Sequence, residues 1–439
     1  MNRPDAPRTR LVESFWIARE PIAFRELCER AVPPDTRLLV LDLDRTLHLG
    51  RNMGELLGWE ISAYRGYGPE YLTELEPRRR SGRMFIDLSH PLGALRYLWK
   101  SFWVWGPPGL FYLLWCKIAA RVDLLRRRSY LRFGPEPVQA VQRVPQYVLF
   151  RQMASLPDAL VRELAARVWA RYRQDLIVER EDLEWLRERC PGIRIVLSSA
   201  SPRQVAETAS AALGIDEVIG SSWHRINGGR AKLDELRARH PDLLGAPGVT
   251  TVGMSDTGYG EDHCWTEAFT HLVDVNSSTG FPPIISAGSP LRAIFSAQIL
   301  TRAEREARAR GEAWLDPRRG RVAGGTLELD APELEALLAP LRAAVDRLAR
   351  ELDARQRQIA GVLERARERC ADVDRALETA AMAIAARGPS PALLGALAER
   401  RSAELQLARL ARPVSEVAFA MARTLERSRA LLDGRATSA

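Results

Sequence analysis

Apolar positions along the chain follow three different periods. Over residues 10–31 they recur at three-and-four spacing and stop before Pro33-Pro34, which predicts an amphipathic helix. Four short continuous apolar runs follow: LLVLD (38–42), IRIVLS (193–198), VTTVGM (249–254) and HLVDVN (271–276). Each has the length of a strand buried on both faces. Helical patterns lie around them at 179–190, 202–213 and 231–239. Strands alternating with helices predict an α/β fold, a doubly wound parallel sheet. Residues 50–180 interrupt the alternation with a mostly helical pattern and read as an inserted domain. Residues 301–331 are polar and rich in Arg and Gly, and read as a linker with a short strand at GGTLELD.

The third period begins at Pro340. Leu341, Val345, Leu348, Leu352, Ile359, Val362, Ala366, Cys370, Val373, Leu377, Ala380 and Ile384 form a heptad seam, broken once at Arg355. RGPSP (387–391) makes a turn, and a second helical pattern runs from 392 to 432. Each arm would be about 60–70 Å long by helical rise. Two readings follow: an antiparallel coiled-coil hairpin, or a helical subdomain packed on the rest of the chain. The hairpin would offer 340–432 for self-association or a protein partner. The expected organisation is an N-terminal helical segment at 1–37, a catalytic domain at 38–300 with its insert at about 50–180, the linker at 301–331 and the hairpin at 332–434.

Composition adds charge to this outline. The 439 residues are 46% hydrophobic and 27% charged, as in a folded chain rather than a disordered one. Lys and Arg total 64, yet only three are lysines: Lys100, Lys117 and Lys232. The formal charge of +8 is not spread evenly, because Arg78–Arg132 alone holds twelve bases against Asp87 and Asp123. That segment carries tryptophans in an apolar context and no nucleic-acid motif, so nucleic acid is not an expected partner. Five scattered cysteines exclude a disulfide framework, and no apolar signal region opens the sequence. A cytoplasmic location is expected, with the Trp-rich segment deciding whether it is peripheral on a membrane.

The candidate chemistry sits on the strand ends. LLVLDLDRTL (38–47) delivers Asp42 to the carboxyl end of a strand, with Asp44 and Thr46 at alternate positions. Ligands bind at such ends in open α/β sheets. Two carboxylates at this spacing can divide labour, Asp42 attacking phosphorus and Asp44 moving protons. A lone DxD after a strand can equally be a turn cap, so the accompanying elements matter. SSASP (198–202) brings hydroxyls to the second strand end, and Lys232 follows in NGGRAKLDEL at a helix start. A lysine there can offset the repulsion between a phosphoryl group and a carboxylate. GMSDTGYGEDH (253–263) adds Asp256, Glu261 and Asp262 after the third strand, oxygen donors that suit Mg²⁺. No GxSxG, Walker loop or GxGxxG is present, and the six histidines show no metal or triad spacing.

This ordered set resembles the haloacid dehalogenase (HAD) superfamily, in particular its phosphoserine-phosphatase-like branch, over about residues 36–300. The resemblance implies Asp42 as nucleophile, Asp44 as general acid/base, Ser199 as the second-motif hydroxyl and Lys232 as the third-motif lysine. It implies a Mg²⁺ site of Asp42, the Asp44 carbonyl, Asp256 and Asp262, the last being the further acid of the fourth motif. The insert would be the cap. Two departures stand out: Gly260 occupies the usual place of the second acid, leaving Glu261 or Asp262, and the bulky cation Arg45 follows Asp44. The implied activity is a Mg²⁺-dependent phosphatase. Transfer to an acceptor other than water would use the same residues, and a catalytically weak scaffold working through the hairpin is the alternative.

The cap segment 97–121 holds Trp99, Trp103, Trp105 and Trp115 around an uncharged run at 101–116 that Gly-Pro-Pro-Gly interrupts. It is too short to span a bilayer. Its rings and flanking bases fit either an interfacial membrane contact or the core of the cap. The first reading implies a lipid or lipid-linked phosphate as substrate, the second a small phosphorylated molecule.

Overall fold

In the computed structural model the described residues are 9–78, 86–103, 149–150, 152–222, 224–258, 262–277, 280–317, 326–336 and most of a helical stretch from 338 to 361. Trp105, Trp115, Lys117, Glu261 and the seam beyond 361 lie outside them. The described strands are β1 (Thr9–Leu11), β2 (Ser14–Ile22), β3 (Thr36–Leu41), β4 (Arg194–Pro202), β5 (Glu217–Ser221), β6 (Thr250–Ser255), β7 (His271–Val275), β8 (Ile284–Ser286), β9 (Ala293–Ile299) and β10 (Thr326–Asp330). β1 and β8 form a small antiparallel pair. The other eight make one sheet in the order β10-β2-β9-β7-β6-β3-β4-β5. All its pairings are parallel except β10 on β2 at the edge.

β3 sits at the centre because every side chain from Leu38 to Leu41 is apolar and can be covered on both sides. Leu41 pairs with Leu197 of β4 on one side and Met254 of β6 on the other. The chain leaves β3 for β4 and β5, then returns for β6 on the opposite flank. The order reverses there, which opens a crevice beyond the carboxyl ends of β3, β4 and β6. All four apolar runs of the sequence are strands, and the helices Arg180–Arg189, Arg203–Leu213 and Arg230–Arg239 fill the expected intervals.

The insert supplies helix α2 (Met53–Tyr67), helix 91–103 and helix Asp158–Ala170. Arg171, at the end of the third, ties it to α2 and to the turn after it, bonding both Glu60, which is fully buried on α2, and Glu76. The Tyr71 hydroxyl donates to the second Glu60 oxygen at 2.6 Å, so the buried charge is paired and hydrogen-bonded.

Two sequence expectations are corrected. The stretch 10–31 is not one helix: α1 covers only Phe24–Ala31, and Ser14–Ile22 is β2, bonded between β9 and β10. The run Phe15-Trp16-Ile17 is aromatic and β-branched, and Trp16 is buried. Short apolar runs are ambiguous until a partner strand appears, and these partners come almost three hundred residues later. Residues 301–331 are more than a linker. Thr301 and Glu304 form a reciprocal capping box that starts helix Arg302–Ala309. Arg305 of that helix binds the Ile177 and Leu300 carbonyls, each at 3.0 Å. The strand expected within GGTLELD is present as β10. The chain divides into two compact units near Leu334, and the second, from Glu335 to Thr437, is described only as far as its first helical residues.

Candidate active site

Asp42 lies in the first position after β3, its amide donating to the Met254 carbonyl of β6 at 2.9 Å. That bond carries the sheet register one residue further and aims the carboxylate into the crevice. Lys232 enters from the third residue of its helix and is buried; its Nζ donates to Asp42 Oδ1 at 2.8 Å. The same ammonium lies 3.0 Å from Oδ1 and 3.1 Å from Oδ2 of Asp262. It also stands 4.9 Å above the Trp265 ring, a cation–π contact. Burial works against the charged lysine, but Asp262 and Asp42 outweigh it and hold its pKa above the ordinary lysine value.

Room for that tryptophan comes from a glycine. A Cβ on Gly253 of β6 would stand 2.7 Å from the Trp265 ring. The GMSD sequence therefore sets the floor beneath Lys232 as well as placing an acid after the strand.

Asp262 is fully buried and accepts from Ser255 Oγ at 2.5 Å, Thr257 Oγ1 at 3.0 Å and Lys232. These contacts make Asp262 a partner of the lysine at the base of the site. Asp44 turns to the start of α2. Met53 N donates to its Oδ1 at 2.8 Å, while Asn52 Nδ2 and Ser201 Oγ donate to its Oδ2 at 2.9 and 2.7 Å. His48 Nδ1 accepts the Gly50 amide, which leaves the ring proton on Nε2, 3.3 Å from Asp44 Oδ1.

Ser199 is buried on β4, where its Oγ accepts the Ser201 amide at 3.0 Å. No described residue takes its hydroxyl proton, which remains to be donated. Asn227 fixes this strand end: its Nδ2 reaches Ser198 Oγ, the Ser199 carbonyl and the Ile219 carbonyl of β5 at 3.1–3.2 Å. His48, Asn52, Ser201 and Asn227 are site residues that sequence reasoning missed. Only Asn52 carried a signal, as an N-cap candidate three residues before Glu55.

Asp256 follows β6 and is largely buried, with Arg45 Nε 3.7 Å from its Oδ2. Burial, opposed by Arg45 and reinforced by Asp262 and Asp44, pushes its carboxyl up to about 7. Burial likewise raises Asp42 well above the usual carboxylate range; Lys232 pulls against this, and the charges of Asp262 and Asp256 add to it. Arg45 adopts φ +63°, and the Asn276 side chain holds its carbonyl at 3.2 Å. That left-handed turn carries the chain from Asp42 back toward α2.

The site is thus short of positive charge. Four carboxylates (Asp42, Asp44, Asp256 and Asp262) face one buried ammonium and one half-exposed guanidinium. Among the described residues no three His, Cys, Asp or Glu side chains form a ready metal cage. It is this excess of carboxylate oxygens that suits a hard divalent cation. Among the described residues no helix is long and apolar enough to cross a membrane.

Residues 110–257 match the family of haloacid dehalogenase-like hydrolases. No curated protein matches the sequence. Among solved structures, a dehalogenase crystal structure aligns with 60% of this chain and 94% of its own, at 13% identity and a TM-score of 0.26. The family match includes Ser199, Lys232 and Asp256, and the parallel pairing of β3 between β4 and β6 brings Asp42 onto Lys232. Over residues 110–257 the chain therefore carries a haloacid dehalogenase-like hydrolase domain.

Proposed function

We propose that this hydrolase cleaves phosphomonoesters through an aspartyl-phosphate on Asp42, as in the phosphoserine-phosphatase-like branch of the superfamily. The observation that carries the reading is the Lys232–Asp42 contact at the switch point of the sheet. Lys232 occupies Oδ1, and no described residue hydrogen-bonds Oδ2, which is left to attack. In the first half-reaction Asp42 Oδ2 bonds to phosphorus and the bond to the leaving oxygen breaks. Asp44, in its acid form, protonates that oxygen. In the second half-reaction water adds to phosphorus, Asp44 takes the water proton, and the phosphorus–Asp42 bond breaks. The products are the alcohol and inorganic phosphate.

Lys232 offsets the charge of the nucleophile and the incoming phosphoryl group, and the free Ser199 hydroxyl donates to a phosphoryl oxygen. Mg²⁺, held by Asp42, the Asp44 carbonyl and Asp256, would supply the missing positive charge and polarise the phosphoryl group.

A cavity of about 350 Å³ lies beyond the ends of β4 and β5, lined by Phe150, Met153, Leu156, Val161 and Arg203. Arg203 is two residues from Ser201, the Asp44 partner, and on this reading the cavity would take the leaving group. Its apolar walls favour an organic leaving group with hydrocarbon surface.

The test is phosphate release from an aryl phosphate and a broad phosphomonoester panel with Mg²⁺. Wild type should turn over at least one member and Asp42→Asn none. Equal inactivity of both proteins across the panel would contradict the proposal.

A further inference from the structure

The helical residues 91–103 have two apolar faces, and among the described residues only one is packed. Ala94, Tyr97 and Ser101 are buried, with Tyr97 packed against Tyr71 and Leu75 of the insert. Gly93 fits against Tyr67, where a Cβ would come within 2.4 Å of the ring. That packing fixes which face points outward.

The outward arc runs through Leu98, Phe102, Leu95, Trp99, Leu92 and Trp103, all 39% to 71% exposed. Trp99, Phe102 and Trp103 touch one another, with ring centroids 5.5–6.4 Å apart. At 100° per residue Arg96 and Lys100 follow on one flank of this arc, between the apolar stripe and the buried face. Of the ten exposed large apolar side chains among the described residues, eight lie between Ile86 and Trp103. Such clustering marks a contact surface rather than scattered surface apolarity.

We propose that this stripe docks the protein on an anionic lipid surface, with the helix lying in the plane of the interface. The thirteen described residues of the helix rise about 20 Å, against a hydrocarbon core of roughly 30 Å, and Gly106-Pro107-Pro108-Gly109 interrupts the uncharged run that continues from them in the sequence. The residue types suit the interface, with indole rings at headgroup depth and Leu and Phe below them. Charge selects the partner. The surrounding sequence, Arg78–Arg132, has twelve bases against two acids. Arg96 and Lys100 flank the stripe with no acid between Leu88 and Trp103, so a second copy meeting the same face would bring like charges together, whereas anionic headgroups complement them. The inference stands apart from the chemistry at Asp42.

The test is vesicle flotation of the full chain, with phosphatidylcholine alone and with equimolar phosphatidylcholine and phosphatidylglycerol. The protein should float with the anionic vesicles only. Arg96→Ala with Lys100→Ala should weaken that binding about 30-fold at low ionic strength, from about fivefold per cation. Trp99→Ser with Trp103→Ser should abolish it while leaving the melting temperature in place, because both rings are exposed. Lipids brominated in the upper acyl chain should quench the tryptophan fluorescence of wild type more than that of the double variant. Absence of binding, equal binding to neutral vesicles, or unchanged binding of the Trp variant would overturn the proposal. So would a wild-type oligomer that the Trp variant converts to monomer, since the stripe would then be a self-contact.

Discussion

Lys232 is where folding and chemistry meet in one side chain. Its ammonium is the single buried counter-charge described for both Asp42 and Asp262, so removing it leaves two carboxylates inside the protein without a counter-charge. Lys232→Met should cost about 3–5 kcal/mol of stability in denaturant unfolding. Phosphate release should fall by about a hundredfold or more. Asp42→Asn should act oppositely on stability, because it removes one of four crowded carboxylates and keeps the shape; its melting temperature should equal or exceed that of wild type. The same crowding predicts that Mg²⁺ raises the wild-type melting temperature, about 2.7 kcal/mol at a hundredfold excess over its dissociation constant, and that Asp256→Asn loses most of that shift. Calorimetry with and without chelator reads this independently of turnover. At this scale the sequence made Asp42, Asp44, Ser199, Lys232 and Asp256 legible, because strand ends and motif spacing mark them. His48, Ser201 and Asn227 were not legible, and Asn52 only as a helix cap: they are common polar residues whose roles depend on what the fold brings beside them. Asp262 was found, but only the structure shows that it faces Lys232.

The elements behave similarly. Strands buried on both faces announce themselves as continuous apolar runs, so β3, β4, β6 and β7 could be read directly. β2 could not, because half-buried segments of that length fit either period until their partners are known. Helix Arg302–Ala309 was hidden by its polarity, although the T-x-x-E capping box at Thr301 was visible in principle. Thr301→Ala should cost about 1 kcal/mol, measured by urea unfolding, since it frees the Glu304 amide of its acceptor. Gly253→Ala tests the support beneath Lys232. Its added methyl meets the Trp265 ring in a closed core, so about 1–3 kcal/mol of stability should be lost. Turnover should fall with it, because the ring carries the ammonium.

For the whole molecule, the parallel sheet places Asp42, Lys232 and Asp256 at one crevice, and the insert adds an apolar cavity on one side and an exposed stripe on another helix. The second unit, from Glu335 onward, holds none of the candidate site residues. A chain ending at Leu334 keeps β10 and should retain phosphate release per mole. Any change in its oligomeric size by light scattering would assign the removed unit to assembly. The central claim is that Asp42 becomes phosphorylated during turnover. Borohydride trapping tests it most directly: reaction mixtures are quenched, reduced and digested, and the peptide spanning residue 42 is sequenced by mass spectrometry. The account predicts homoserine at position 42 in substrate-treated wild type and not in Asp42→Asn. Turnover with Asp42 unmodified, or the same trapped product at another carboxylate, would contradict it.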